Sequence, residues 1–355
     1  MSGAPRLRVV QWATGNIGTR ALREVIRHPD LDLVGVLVYD AAKVGLDAGV
    51  LCGEEPTGII ATDDRAAMRA IAADCVLYMP RVFDVDDVVA MLGSGTNVVT
   101  TRGEVFGSAS GLDKQSRSRI LDACERGNAS IYATGSSPGF ITDALPFALL
   151  SLQRRVDSVE IEEFADLSRR DSPVLLFELM GFGKPVESFN PARPEYLLGE
   201  FAPALGQLAD AANRPVDDWT CTGEVAAARH TTSLAAGELA SGTVAAQRTR
   251  ISGSCDGTEA VRFTANWYCT SDVVPDWELR PTGWRVRVRG DAPMDVDLPF
   301  PVPVEELGSF TPGYTANRPV NAVAYVCAAA PGILSTSDLR PITPAGPRSS
   351  VGVVR

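Results

Sequence analysis

Two hydrophobic periodicities divide the chain. From Arg8 to about residue 135, short apolar runs alternate with stretches whose apolar positions recur every three or four residues. The runs Arg8–Trp12, Leu31–Tyr39, Asp74–Pro80, Asn97–Thr101 and Ser130–Thr134 predict strands. Leu31–Tyr39 is nearly continuous in apolar residues, as a strand covered on both faces must be. Between the strands, Thr19–His28 gathers Ala21, Leu22, Val25 and Ile26 on one face and is stopped by Pro29. Asp84–Leu92 and Leu112–Arg126 read as further helices, with a weaker one at Asp64–Ala72. Alternation of this kind predicts an open parallel sheet with ligands at the carboxyl ends of its strands.

After a helix at Thr142–Leu150 the period changes. Ser158–Ala165 reads as a strand, and Ser172-Pro173 as the cap and first turn of a helix running to Met180. Residues 184–216 are rich in Pro and Gly, with one short helix at Phe201–Ala212. Trp219–His230, Ser241–Ser254, Thr258–Thr270, Trp284–Arg289 and Met294–Leu298 then predict long strands, and Asp256-Gly257 a hairpin turn. Arg318–Ala330 reads as a helix with Pro319 in its first turn, returning to pack on the first domain, and Pro341–Arg355 as a loosely held tail. The expected fold is α/β. A Rossmann-type parallel-sheet domain covers residues 1–140, completed by 318–355, and a second α+β domain with a mostly antiparallel sheet covers 141–317.

The first strand leads into Gln11-Trp12-Ala13-Thr14-Gly15-Asn16-Ile17-Gly18. The spacing is that of a dinucleotide-binding turn, with Ala13 where the first Gly usually stands. Gly15 would let the backbone approach a pyrophosphate, and Gly18 would let the helix pack closely on the strand. The free N–H groups of the helix would face the phosphates. Thr14, Gly15, Asn16, Ile17 and Gly18 are therefore cofactor-binding candidates, joined by the strand-end residues Met79, Pro80 and Thr101. A purely structural strand-to-helix turn can carry the same letters. The second strand and Asp40 behind it, at the spacing of a ribose-binding acid, favour the nucleotide. Asp40 would take the ribose hydroxyls of NAD, whereas Lys43 would pair with the extra phosphate of NADP, and both cofactors stay open.

Composition narrows the class. A net charge of -11 argues against nucleic acid or an anionic membrane as partner. Seven scattered cysteines without a CxxC pair predict reduced thiols in a cytoplasmic protein. Two histidines, each in a bland setting, leave little room for a metal site or a Ser–His triad. No apolar run reaches membrane-spanning length, and no signal-peptide core is expected.

Glu104 follows a strand end and a glycine, so it is expected to project into a cleft between the domains. The competing reading is a capping box, Thr101-x-x-Glu104, in which the carboxylate only accepts a backbone N–H. Phe140, Phe164, Phe177, Met180, Trp267 and Tyr268 are candidates for an apolar substrate pocket, although each taken singly fits a core position.

The run Gln11 to Gly18, then Leu33-Val34-Gly35-Val36 and Lys43-Val44-Gly45-Leu46-Asp47-Ala48-Gly49, resembles the dihydrodipicolinate-reductase-like branch that holds 2,4-diaminopentanoate dehydrogenases and native amine dehydrogenases. Ala133-Thr134-Gly135-Ser136-Ser137-Pro138-Gly139-Phe140 is similar to that branch's Thr-Gly-x-Asn-Pro-Gly-Phe turn, with Ser137 in place of the Asn. Val320-Asn321-Ala322 through Ala330-Pro331-Gly332-Ile333 is similar to its C-terminal segment. The match covers the N-terminal third and the C-terminal helix. The resemblance implies NADP or NAD as cofactor, a homodimer, and reductive amination of a small ketone or aldehyde with ammonia. It places the family's catalytic acid on Glu104, working on ammonia and the carbinolamine in an apolar setting. The alternatives are a 2,4-diaminopentanoate dehydrogenase or a cyclic-imine reductase, and, in another class, a non-catalytic NAD(P) sensor. Dihydrodipicolinate reductase itself is disfavoured, because its His-His-x-x-Lys motif is absent.

Overall fold

The computed structural model describes residues 5–189 and 192–345. The chain forms two compact units, residues 1–136 with 312–355 and residues 137–311. The sequence reading set these boundaries at 140/141 and 317/318.

The first unit is built on β1 (Leu7–Trp12), α1 (Asn16–Arg27), β2 (Leu31–Leu37), α2 (Ala48–Cys52), α3 (Arg65–Arg69), β3 (Cys75–Tyr78), α4 (Val85–Gly93), β4 (Asn97–Thr100), α5 (Phe106–Ala109), α6 (Lys114–Gly127) and β5 (Ser130–Ala133). Its sheet has six parallel strands in the order C-terminal strand Gly332–Leu334, β5, β4, β3, β1, β2. Val9, Leu77, Val99 and Tyr132 of the sheet meet Ala316, Val320, Val323 and Val326 of the C-terminal helix in one buried cluster. The apolar spacing of that helix therefore closes one face of the sheet.

Several expected boundaries move. β2 stops at Leu37 rather than Tyr39, because the Val38 N–H leaves the sheet ladder and donates to the Thr62 carbonyl at 2.9 Å. The C-terminal helix runs over Leu307–Cys327 with Pro312 and Pro319 inside it. Pro319 thus does not open the helix; a proline costs an interior helix one N–H bond but does not by itself mark a start. The short strand Gly332–Leu334, absent from the sequence reading, pairs with β5, and the Ser130 hydroxyl donates to the Ala330 carbonyl at 2.9 Å beside it. The tail expected over Pro341–Arg355 lies outside the described residues from 346 onward.

The second unit contains α7 (Leu145–Leu150), β6 (Val156–Asp166), α8 (Ala192–Ala211), β7 (Asp218–Ala228), β8 (Thr232–Leu234), β9 (Gly237–Leu239), β10 (Val244–Cys255), β11 (Thr258–Tyr268), β12 (Val273–Val274), β13 (Gly283–Gly290) and β14 (Met294–Pro299). Seven strands form a mixed sheet ordered β12-β7-β10-β11-β6-β13-β14, in which only the β11–β6 pair is parallel. Leu197, Phe201, Leu205 and Leu208 of α8 cover one face against Ile161, Ile251, Phe263 and Val286. Asp256 and Gly257 turn the β10–β11 hairpin with φ +51° and +71°, as the sequence predicts. One expected α-helical segment is wider. The Val174–Leu179 segment is π-helical, with the Met180 N–H on the Leu175 carbonyl at 2.7 Å. Before α7, the segment Ser136–Ala144 is broken by extended or left-handed backbone at Ser137, Pro138 and Gly139, so it is a turn leading into the helix rather than a continuous helical run. Among the described residues, no helix is long and apolar enough to cross a membrane.

Candidate active site

The turn after β1 is shaped by close backbone approach. The Ala13 N–H donates to the Leu37 carbonyl at 2.9 Å, and the Gln11 amide donates to the Ala13 carbonyl at 2.9 Å. Ala13 adopts φ +76°, the left-handed conformation that a glycine takes without strain. Gly18 has no room for a side chain: a Cβ there would stand 2.1 Å from the Ala13 carbonyl oxygen. Gly15 differs. It precedes α1 with φ -69° and ψ -169°, which any residue adopts, and a Cβ there would meet nothing within 4 Å. Neither backbone strain nor packing requires a glycine at that position; its missing side chain leaves open the space at the helix N-terminus that an anionic ligand would take.

The open space beside Gly15 belongs to a cavity of about 470 Å³, within the range of a small-ligand site. Thr14, Gly15, Asp40, Lys43, Met79 and Pro80 line it, as the sequence reading grouped them. Asn16, Ile17 and Gly18 open α1 behind the turn, and Thr101 follows β4; these four do not line the cavity. The remaining wall was missed: Ala13, Tyr39, Arg65, Arg81, Val82 and Asp84. Tyr39 and Val82 are 50% and 73% exposed, an unusual outlay of apolar surface for two loop residues. Arg65 stands over the Tyr39 ring at 5.3 Å and is held by Asp84 at 3.1 Å and Asp87 at 3.0 Å. The Lys43 ammonium donates to the Thr14 carbonyl at 2.7 Å, and Asp40 accepts the Ala42 N–H at 3.0 Å. Apolar walls, a helix N-terminus, a carboxylate and a lysine together fit a dinucleotide.

Glu104 lies in a 3-10 turn, Gly103–Val105, directly after β4, two strands from β1 across the sheet. The capping-box alternative fails, since no side chain caps this turn. Arg102 instead donates to Glu104 Oε1 at 2.6 Å, while Oε2 is buried and has no hydrogen-bond partner. The Glu104 side chain as a whole is 27% exposed, so its setting is a half-buried ion pair rather than the apolar one expected. Sequence reasoning missed Arg102, because residues two apart meet only when the loop bends back. Nearby in the same unit, Arg318 of the C-terminal helix donates to the Thr134 hydroxyl at 2.7 Å, and Ser136 and Thr315 share a hydrogen bond of 2.6 Å. Among the described residues, no group of three or more His, Cys, Asp or Glu side chains is placed to hold a metal ion.

The aromatic candidates belong to the second unit and are mainly core. Phe164 and Tyr268 are buried, and the Tyr268 hydroxyl donates to the Arg280 carbonyl at 2.6 Å. Burial pushes that phenol well above its ordinary range. The Trp267 indole donates to Glu163 at 2.9 Å, and Phe140 packs near Trp284 at 6.2 Å between ring centres. Phe177 packs beneath Gly183 and Gly237. Met180 lines a small cavity of about 120 Å³ with Gln247, Lys184 and Phe189. Strand alternation marks which side chains share a face, but not what covers that face: Tyr268, Phe177 and Met180 pack with Leu167, Leu176 and Phe182. In the turn before α7, Gly139 takes φ +127° and its N–H donates to the Thr142 hydroxyl at 2.8 Å. Ser137 buries its hydroxyl there without a hydrogen-bond partner.

A parallel nucleotide-type sheet joined to a mixed, mostly antiparallel sheet, with a cavity at the glycine turn, is the architecture of nicotinamide-dependent oxidoreductases with two domains. The comparisons agree with that class. The chain is similar to an amine dehydrogenase of Streptomyces virginiae, 29% identical over 96% of this chain and 97% of the relative. The structure of an amine dehydrogenase from Mycobacterium smegmatis superposes with a TM-score of 0.73 at 18% identity, covering 96% of this chain and 97% of the other. A probable dehydrogenase from Thermotoga maritima shares the fold at a TM-score of 0.56 and 12% identity, covering 94% and 92% of the two chains. No family model matches the chain. The resemblance to amine dehydrogenases therefore holds over nearly the whole sequence, and it supports an oxidoreductase.

Proposed function

We propose that the chain is an NAD(P)H-dependent amine dehydrogenase, which joins ammonia to a small ketone or aldehyde and reduces the product to a primary amine, reversibly. The observation that carries this reading is Glu104. One carboxylate oxygen is tied down by Arg102, and the other is buried without a partner. An unsatisfied buried carboxylate oxygen is costly, and a cationic guest repays that cost. Ammonium, the protonated carbinolamine and the iminium ion are such guests.

Glu104 Oε2 would accept a proton from ammonium, leaving neutral ammonia to attack the carbonyl carbon. The same oxygen would return a proton to the carbinolamine hydroxyl as water leaves, and would lie against the iminium charge. Arg102 holds the carboxylate in one orientation throughout. Gly15, the α1 N-terminus, Lys43 and Asp40 would hold the dinucleotide, with Tyr39 and Val82 flanking its adenine. When bound, the nicotinamide supplies the hydride that completes the reduction. The reading includes a cytoplasmic homodimer, with a small carbonyl or amine as substrate.

The test is NADH or NADPH consumption with ammonium and a simple aldehyde, repeated with Glu104→Gln. Turnover should be lost in the variant while nucleotide binding, followed by fluorescence, is unchanged. Turnover of a diamino acid but of no neutral carbonyl would move the chain to the 2,4-diaminopentanoate type. Nucleotide binding with no turnover of any amine or carbonyl would leave the sensor.

A further inference from the structure

We propose that this chain selects NADH over NADPH through Asp40, and that Lys43 clamps the pyrophosphate without reading the 2′ position. The inference rests on the dinucleotide reading above. By position alone, either residue is a candidate for the adenosine ribose, since Asp40 follows β2 and Lys43 comes three residues later. Their side chains part company in the fold.

The Lys43 side chain folds back over the glycine turn. Its ammonium lies 2.7 Å from the Thr14 carbonyl oxygen and 3.4 Å from the Thr14 hydroxyl, next to Gly15 and the open N-terminus of α1. That is the pyrophosphate position, common to both cofactors. Asp40 stays at the strand end. Its Oδ1 accepts the Ala42 N–H at 3.0 Å and caps the Ala41–Lys43 turn, which fixes the rotamer of a short side chain lining the cavity. A carboxylate held there accepts hydrogen bonds from two ribose hydroxyls and repels a 2′-phosphate.

The other cations of the cavity do not cancel this repulsion. Arg65 is engaged by Asp84 and Asp87, and Asp87 is only 2% exposed. Swinging Arg65 toward a phosphate would strip a buried carboxylate of one of its two arginine partners, leaving Arg69. Arg81 enters from the loop after β3, which lies on the opposite side of β1 from β2 and Asp40.

The experiment is a fluorescence titration of the full chain with NADH and with NADPH, for the wild type, Asp40→Ser and Lys43→Met. Serine retains capping capacity and methionine retains length, and thermal unfolding checks that each variant is folded. The wild type should bind NADH at least roughly tenfold more tightly than NADPH, as like charges in contact demand. Asp40→Ser should narrow that ratio chiefly by improving NADPH. Lys43→Met should weaken both cofactors by the same factor and leave the ratio unchanged. Equal or tighter binding of NADPH by the wild type overturns the proposal while leaving the dehydrogenase reading intact, as does a Lys43→Met variant that loses NADPH alone. Binding of neither nucleotide overturns both readings together.

Discussion

The two glycines of the first turn should respond to the same substitution in opposite ways. Gly18→Ala places a methyl group 2.1 Å from the Ala13 carbonyl oxygen and 3.0 Å from its carbon, both backbone atoms. The turn cannot yield cheaply, since Ala13 is already at φ +76° and is bonded on both sides, to Leu37 and to the Gln11 amide. Overpacking against backbone should cost about 2 to 3 kcal/mol. Gly15→Ala meets nothing within 4 Å and needs no new backbone conformation. Alanine is a poorer residue before a helix by roughly 0.5 kcal/mol, and it lowers the unfolded-state entropy by a similar amount, so the net change should be within about 0.5 kcal/mol. Binding reverses the ranking. A methyl group at residue 15 occupies the space beside the helix N-terminus, and NADH affinity should fall at least about tenfold, or 1.4 kcal/mol. Urea unfolding gives the stabilities and NADH fluorescence the affinities. A Gly15→Ala protein with full affinity, or a Gly18→Ala protein as stable as wild type, would refute the assignment of one glycine to the ligand and the other to the fold.

Ala13→Gly should raise stability by up to about 1 kcal/mol, because relief of left-handed strain outweighs the added unfolded-state entropy; the urea midpoint checks it. Phe201→Ala, which removes a ring stacked on Phe263 at 4.2 Å in the core under α8, should cost about 3 to 4 kcal/mol by the same measurement. Glu160 supplies a pH dependence. Burial pushes its carboxyl up, but the hydrogen bond and charge of Arg289, then the charge of Arg262 and the hydrogen bond of Arg287, outweigh burial and hold it below the ordinary value of 4.5. Its stabilisation is thus present above that value and is lost as pH falls through the lower folded one. Glu160→Gln should lower stability at neutral pH by about 1 to 2 kcal/mol and make no difference near about pH 2. An equal loss at both pH values would mean that packing, not charge, is what Glu160 contributes.

How much of the site is legible depends on how far its parts are separated along the chain. Thr14, Gly15, Asp40, Lys43, Met79 and Pro80 can be grouped from sequence because each sits at a strand end, and parallel strands bring their carboxyl ends together. Arg65 and Val82 cannot, because α3 and the loop after β3 reach the cavity through tertiary placement that no local pattern encodes. The capping-box spacing at Thr101 and Glu104 is legible but misleading. A pattern satisfied by a backbone N–H loses to an arginine two residues away once the loop bends back. The burial of the aromatic residues was illegible for a third reason. Phe164 and Tyr268 lie on strands whose alternation is plain, yet burial depends on what covers each face. The proline signal at Pro319 likewise reports only a residue that a first turn permits; the helix begins at Leu307, and Pro319 sits inside it between Ala316 and Val320, which both pack on the sheet.

The position of Glu104 has a further support that bears on its role. A Cβ on Gly111 would stand 2.7 Å from the Glu104 Cα and 3.0 Å from its carbonyl oxygen. The segment between α5 and α6 therefore presses on the backbone that carries the carboxylate, and glycine is what permits the approach. Gly111→Ala must push these backbones apart by a few tenths of an ångström or more, which turns Oε2 while leaving the cavity at the glycine turn, two strands away, as it was. If Glu104 acts by proton transfer, its geometry is demanding, and a displacement near 1 Å costs up to about a hundredfold in rate. Gly111→Ala should then lower kcat for ammonium-dependent NADH or NADPH oxidation by roughly ten- to a hundredfold, with the nucleotide dissociation constant unchanged. Glu104→Asp, which moves the carboxylate by one methylene on an undisturbed backbone, should show the same pattern. A Gly111→Ala protein with wild-type kcat would mean that the carboxylate tolerates displacement, and a tolerant carboxylate is an electrostatic neighbour of the substrate rather than its proton carrier.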